Sequence, residues 1–141
     1  MLLRLLQGVL LLALTVTIHG FVLSTLFSRL QTYVRRAPLR FPTYTWLLVR
    51  VAAVTVVAHL VEIAVWAVFF VWKGALPDLE VAFYFSAVTY ATIGYGDILL
   101  PETWRLLAAM EGLTGILMCG WSAAFFFAVV TRLHTLTRSD S

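Results

Sequence analysis

Charge is scarce in this sequence. Lys and Arg number ten and Asp and Glu seven in 141 residues, 12% together, against 62% hydrophobic residues. A soluble domain carries about 25% charged residues to cover its surface, so a water-soluble fold is the first class to be set aside. Cysteine is almost missing. The single Cys119 lies in an apolar run, closes no disulfide within the chain and makes no metal site, and reads as a small packing residue. No helix carries Arg at every third position, which excludes a voltage-sensing helix. The sequence also lacks a nucleophile–base pair, a metal-ligand cluster and a phosphate-binding loop, so an enzyme is not expected. The net charge is +3 and its arginines stand beside apolar segments. That placement belongs to membrane topology rather than to nucleic-acid binding.

Long apolar runs are what the chain has in plenty. Crossing a hydrocarbon core of about 30 Å takes roughly 20 apolar residues in a helix. Residues 2–27, 45–72 and 103–133 meet this. The stretch 79–91 is apolar but too short to span, and its length reads as a re-entrant segment. The first run is longer than the 7–15-residue core of a signal peptide, and no small-x-small site follows it, so it is expected to stay as a membrane helix. Trp46, Trp72 and Trp104 fall near helix ends, where amphipathic rings sit at headgroups, whereas Trp66 and Trp121 do not. Pro38 and Pro42 break the first connection, and Pro77 and Pro101 bracket the second.

Arginine placement sets the expected orientation. Arg29, Arg35, Arg36 and Arg40 lie in the first connection, and Arg132 and Arg138 at the end of the chain. Between the second and third runs only Lys73 and Arg105 face Asp78, Glu80, Asp97 and Glu102. Cytoplasmic loops collect Lys and Arg. The first connection and the C-terminus are therefore expected inside, the re-entrant region and the N-terminus outside, with Arg4 a weak counter-signal.

After the short apolar segment comes Thr89-Tyr90-Ala91-Thr92-Ile93-Gly94-Tyr95-Gly96-Asp97. Non-helical backbone survives at membrane depth only when buried in protein or lining a watery cavity. Glycines open backbone angles closed to other residues, which lets successive carbonyls point to one axis. Rings of such oxygens can replace the water around a dehydrated cation. Thr92 adds a hydroxyl ring, and Ile93 and Tyr95 are expected to pack behind the strand.

The string Thr92-Ile93-Gly94-Tyr95-Gly96-Asp97 resembles the filter signature of potassium channels, with Ile93 in place of Val. Thr89 meets the pattern as well. The resemblance covers 45–133 and is closest to small prokaryotic channels with a two-helix pore, with one helix added in front. It implies an all-α membrane protein with three transmembrane helices, and a re-entrant pore helix and selectivity-filter loop between the second and third. The expected division is 1–43 for the first helix and basic linker, 44–133 for the pore module and 134–141 for a short tail, with no following soluble regulator. The implied function is passive potassium flow through a homotetramer in the cell's inner (plasma) membrane. Potassium is the permeant ion, no cofactor is expected, and the partners are other copies and the bilayer, without nucleic acid or soluble ligand. The alternatives are a weakly selective cation channel and a non-conducting subunit of a larger assembly.

Two positions depart from the family pattern. Ala91 stands where Thr is common, and Val88 where some members carry a Glu that pairs with the filter Asp. Asp97 is therefore expected to bond a hydroxyl such as that of Tyr84, or to face water. Asp78 is expected to cap the pore helix, whose C-terminal end is expected to direct negative partial charge toward a cavity ion. Phe83, Tyr84, Phe85 and Tyr90 form a collar. At 1.5 Å per residue, Glu62 lies about 15 Å inward from Trp72 and Glu111 about 10 Å inward from Trp104. Glu111 resembles a glutamate of some bacterial relatives and is read either as a brace behind the filter or as a buried neutral carboxyl. Glu62 is expected to pair with His59 one turn away or to reach another helix. Arg50 is expected to extend to the headgroups, and His19 carries no assigned role. Gly115 resembles the family's inner-helix hinge, with close packing as its other reading, and Gly120 reads as a packing position. One of Phe125, Phe126 and Phe127 is expected to gate the inner mouth by dewetting.

Overall fold

A computed structural model describes the backbone of residues 1–36 and 41–139 and the side chains of 1–33 and 44–135. It contains four helices: α1 (Leu2–Arg36), α2 (Phe41–Trp72), α3 (Leu79–Tyr90) and α4 (Arg105–Ser139). Three of them, α1, α2 and α4, are long and apolar enough to cross a membrane. The 12 residues of α3 reach only about 18 Å at 1.5 Å per residue, well short of the hydrocarbon core. The all-α membrane architecture expected from the sequence is the one observed, and the chain is an integral membrane protein.

The first connection is shorter than its arginines suggest. Arg29, Arg35 and Arg36 belong to α1 itself, because nothing in that stretch breaks a helix before Ala37. Pro42 is not a breaker either. It sits in the first turn of α2, where the missing N–H would have no partner anyway. Pro38 and Arg40 lie outside the described residues, as does the side chain of Arg138. The third spanning helix starts at Arg105, two residues later than the apolar pattern suggests.

Both ends of α3 are fixed by local hydrogen bonds. Asp78, in an extended conformation, accepts from the Val81 N–H at 2.9 Å, which satisfies one of the orphan donors of a helix start. Just before it, α2 stops on a left-handed glycine, Gly74 (φ 63°). The Gly74 and Ala75 N–H groups return to the Val71 and Phe70 carbonyls, each at 2.9 Å. That pair of bonds is a Schellman stop.

The helices pack in three apolar zones. At the end holding the α2–α3 turn, Trp66, Phe69, Phe70, Leu76, Phe85 and Leu107 form the main core. Ile63, Tyr90 and Met118 meet at mid-depth, and Leu30, Val51, Val129 and Leu133 close the far end. Contacts of α1 with both α2 and α4 make it part of the bundle rather than an appendage. Arg4 lies 5.5 Å from the centroid of the Trp104 ring, a cation–π distance that puts the N-terminus at the same end as the loop after α3.

Gly115 is where α4 comes closest to α3. A Cβ there would overlap the Tyr90 carbonyl, whereas one at Gly112 would sit 3.5 Å from the Thr89 oxygen, an ordinary contact. Gly115→Ala is therefore expected to lower stability by about 1–3 kcal/mol through overpacking, while Gly112→Ala is tolerated. Thermal unfolding of the purified protein in detergent measures both. In the same assay Asp78→Ala is expected to cost about 1 kcal/mol through loss of the cap.

Candidate functional site

The loop at the end of α3 begins inside the helix stop. The Thr92 N–H donates to the Thr89 carbonyl and the Ile93 N–H to the Val88 carbonyl, both at 2.9 Å. This is the Schellman pattern a second time, but the left-handed position holds Thr92 (φ 61°) instead of glycine. A left-handed conformation costs a side-chain-bearing residue about 1–2 kcal/mol, and such strain collects at functional sites. Gly94 (φ 58°) and Gly96 (φ 78°) are left-handed too, and among the described residues Thr92 is the only non-glycine with positive φ. The sign of φ therefore alternates from Thr92 to Gly96. Alternation of this kind turns every second peptide plane back, so carbonyls that would face opposite ways in a strand share one side. Sequence reasoning attributed this freedom to the glycines and missed that Thr92 needs it as well.

The loop is exposed along its length from Ala91 to Asp97. Ile93 is 54% and Tyr95 69% accessible, so neither packs behind the strand within its own chain as expected. One tie does hold the loop. The Tyr84 hydroxyl donates to the Asp97 carboxylate at 2.8 Å, joining the flank of α3 to the far end of the loop. The bond and the adjacent negative charge hold the Tyr84 phenol above its ordinary range. Val88 faces the interior, and the hydroxyl partner of Asp97 is Tyr84, as expected.

Glu111 is fully buried. Neither of its oxygens makes a hydrogen bond among the described residues. The Ser86 hydroxyl is fully buried too and likewise makes no hydrogen bond among the described residues. Of the three phenylalanines, Phe125 and Phe126 pack toward the far-end core, with Phe125 edge-on to Phe27 at 6.4 Å. Phe127 points away and is 72% accessible. It continues an uncovered stripe on α4 with Leu113, Leu117, Ala124 and Thr131. Gly120 has open space around it.

Glu62 realises both of its expected alternatives. It meets His59 Nδ1 at 3.3 Å on its own helix and His19 Nδ1 at 2.7 Å on α1, and it accepts the Tyr90 hydroxyl from α3. Ser122 of α4 lies 3.0 Å from Nε2 of both histidines. Sequence reasoning assigned nothing to His19 or Ser122. His59–Glu62 is legible as an i,i+3 pair, but no spacing rule connects residues 43 positions apart on separate helices.

A family model described as "Ion channel" matches residues 56–132, from the middle of α2 through α3 and its loop into the later turns of α4. No curated protein and no solved structure matches the chain. The matched segment takes in more than half of the 141 residues, and it contains the re-entrant helix, the left-handed loop and the glycine contact that positions them. The chain belongs to this ion channel family.

Proposed function

We propose that the chain is one subunit of a homotetrameric channel that passes potassium selectively and passively. The observation that carries this reading is the alternating backbone of Thr92, Ile93, Gly94, Tyr95 and Gly96 at the tip of a helix too short to span. Main-chain oxygens, with the Thr92 hydroxyl as an inner ring, replace the hydration shell of a potassium ion. One chain offers one side of such a ring. The exposure of Ile93 and Tyr95 supports neighbouring copies as the surface they pack against. Thr89 supports the filter through its carbonyl, and Tyr84 with Asp97 fixes its outer end. Glu111, fully buried on α4, is its brace in this reading.

In this reading the filter mouth and the N-terminus face outward and the C-terminus faces the cytoplasm of a cell's inner membrane. Phe127 is the gating residue among the three phenylalanines, since Phe125 and Phe126 are engaged within the chain. A hinge at Gly115 would move α4 off the Tyr90 carbonyl, so bending there is coupled to the base of the filter.

Purified protein in liposomes is expected to give a reversal potential that follows the potassium gradient and barely responds to sodium. A reversal potential that tracks both ions equally would leave a weakly selective cation channel. Gly94→Ala forces a side chain into a left-handed position and is expected to abolish flux while the protein still assembles. No flux from the wild type, together with recovery only in complexes with other proteins, would make the chain a non-conducting subunit. Phe127→Ala is expected to raise flux severalfold with an unchanged thermal midpoint, whereas Phe125→Ala lowers the midpoint.

A further inference from the structure

The cluster at mid-depth is larger than conduction requires. His19 and Glu62 are fully buried and His59 nearly so, with 18% of its side chain accessible. A lone carboxylate in this position would need one partner, and this one has two imidazoles and a phenol drawn from three helices. We propose that His19, His59 and Glu62 form a binding site for a divalent transition metal of the zinc class, built between α1 and α2.

Donor chemistry, spacing and outer partners agree on this. Two imidazoles and a carboxylate are a zinc donor set, and they discriminate against magnesium and calcium, which take oxygen ligands. One donor atom from each residue lies within 4.8 Å of the others. Bonds of about 2 Å to a tetrahedral centre set ligand atoms about 3.3 Å apart; His19 Nδ1 lies 2.7 Å from one Glu62 carboxylate oxygen (Oε1) and His59 Nδ1 3.3 Å from the other (Oε2). Small side-chain movements therefore suffice. The Tyr90 hydroxyl, 3.2 Å from His59 Nδ1, stands at the fourth side of the cluster.

Ser122 supplies the second observation. A metal-bound histidine holds its other ring N–H on an acceptor, which fixes its tautomer. Both Nε2 atoms here meet the same Ser122 oxygen at 3.0 Å. A hydroxyl oxygen has two lone pairs, so it can accept both N–H groups when both Nδ1 atoms hold metal. Without metal and with both rings neutral, His19 Nδ1 needs its proton to bond Glu62, and the serine then donates to His19 and accepts from His59. With neutral rings, the pairing around Ser122 is symmetric only in the loaded site. Bound metal would tie α1 to α2 and bear on Tyr90, two residues before Thr92. The site is independent of which ion the pore passes.

The test uses untagged full-length protein in detergent, stripped with a chelator and titrated with zinc chloride alone. After desalting, one zinc per chain and a rise of several degrees in thermal midpoint are expected. His19→Gln and His59→Gln are expected to drop the stoichiometry below about 0.2 per chain while eluting as the wild type. Ser122→Ala should still bind but with an affinity about 10- to 100-fold weaker. Cobalt(II) loading should give the visible bands of a four-coordinate ion, lost in His59→Gln. Wild-type protein that retains no zinc and shows no thermal shift overturns the proposal and leaves a hydrogen-bond network only. Stoichiometric zinc that survives both histidine substitutions overturns it as well, because the ion then sits elsewhere.

Discussion

The last carbonyls of any helix have no partner within it, and at the end of α3 that shortage falls at membrane depth, where lipid offers none. The chain meets it by folding the next segment back on the helix. The Thr92 and Ile93 N–H groups take up the Thr89 and Val88 carbonyls, and the backbone can do this only by entering a left-handed conformation at Thr92. The geometry of the loop follows from that single requirement. After the left-handed Thr92, Gly94 and Gly96 repeat the reversal at every second residue. The α2 stop at Gly74 uses the same hydrogen bonds with glycine in the strained place. The contrast shows what threonine contributes at Thr92: a hydroxyl, at the cost of backbone strain.

The rest of the bundle positions this helix end. Asp78 fixes where α3 begins, Tyr84 holds the far side of the loop through Asp97, and Gly115 lets α4 press against Tyr90. Tyr90 also joins the buried cluster of His19, His59, Glu62 and Ser122. The first helix thus reaches the base of the loop through side chains although its own residues fall outside the family match. Polar groups that are buried and mutually satisfied specify one arrangement strongly, because each partner lost leaves a costly orphan.

Much of this was legible in the sequence. Length and hydropathy located α1, α2, α3 and α4 because a bilayer sets the length of what spans it. The Asp78 cap and the Tyr84–Asp97 bond could be read from local spacing and from the absence of a Glu at Val88. Three things could not be read. The helical reach of α1 through Arg36 is hidden because clustered positive charge marks a cytoplasmic loop as readily as a helix end, and arginine is a good helix former. The left-handed Thr92 was hidden because threonine rarely adopts that conformation, and tertiary context alone imposes it. The His19–Glu62 contact was hidden because long-range pairing between helices leaves no periodic trace. The sequence also offered Phe125, Phe126 and Phe127 as equals, and only the packing of α1 and α2 separates them.

Because α3 and the loop share the hydrogen bonds that end one and begin the other, their phase is locked. Adding or deleting one residue between Asp78 and Tyr90 would rotate the loop by about 100° and slide it about 1.5 Å along the axis. The length of the short helix is then as tightly constrained as the chemistry of the loop, and variation in this molecule should be tolerated as substitution along α3 but not as insertion.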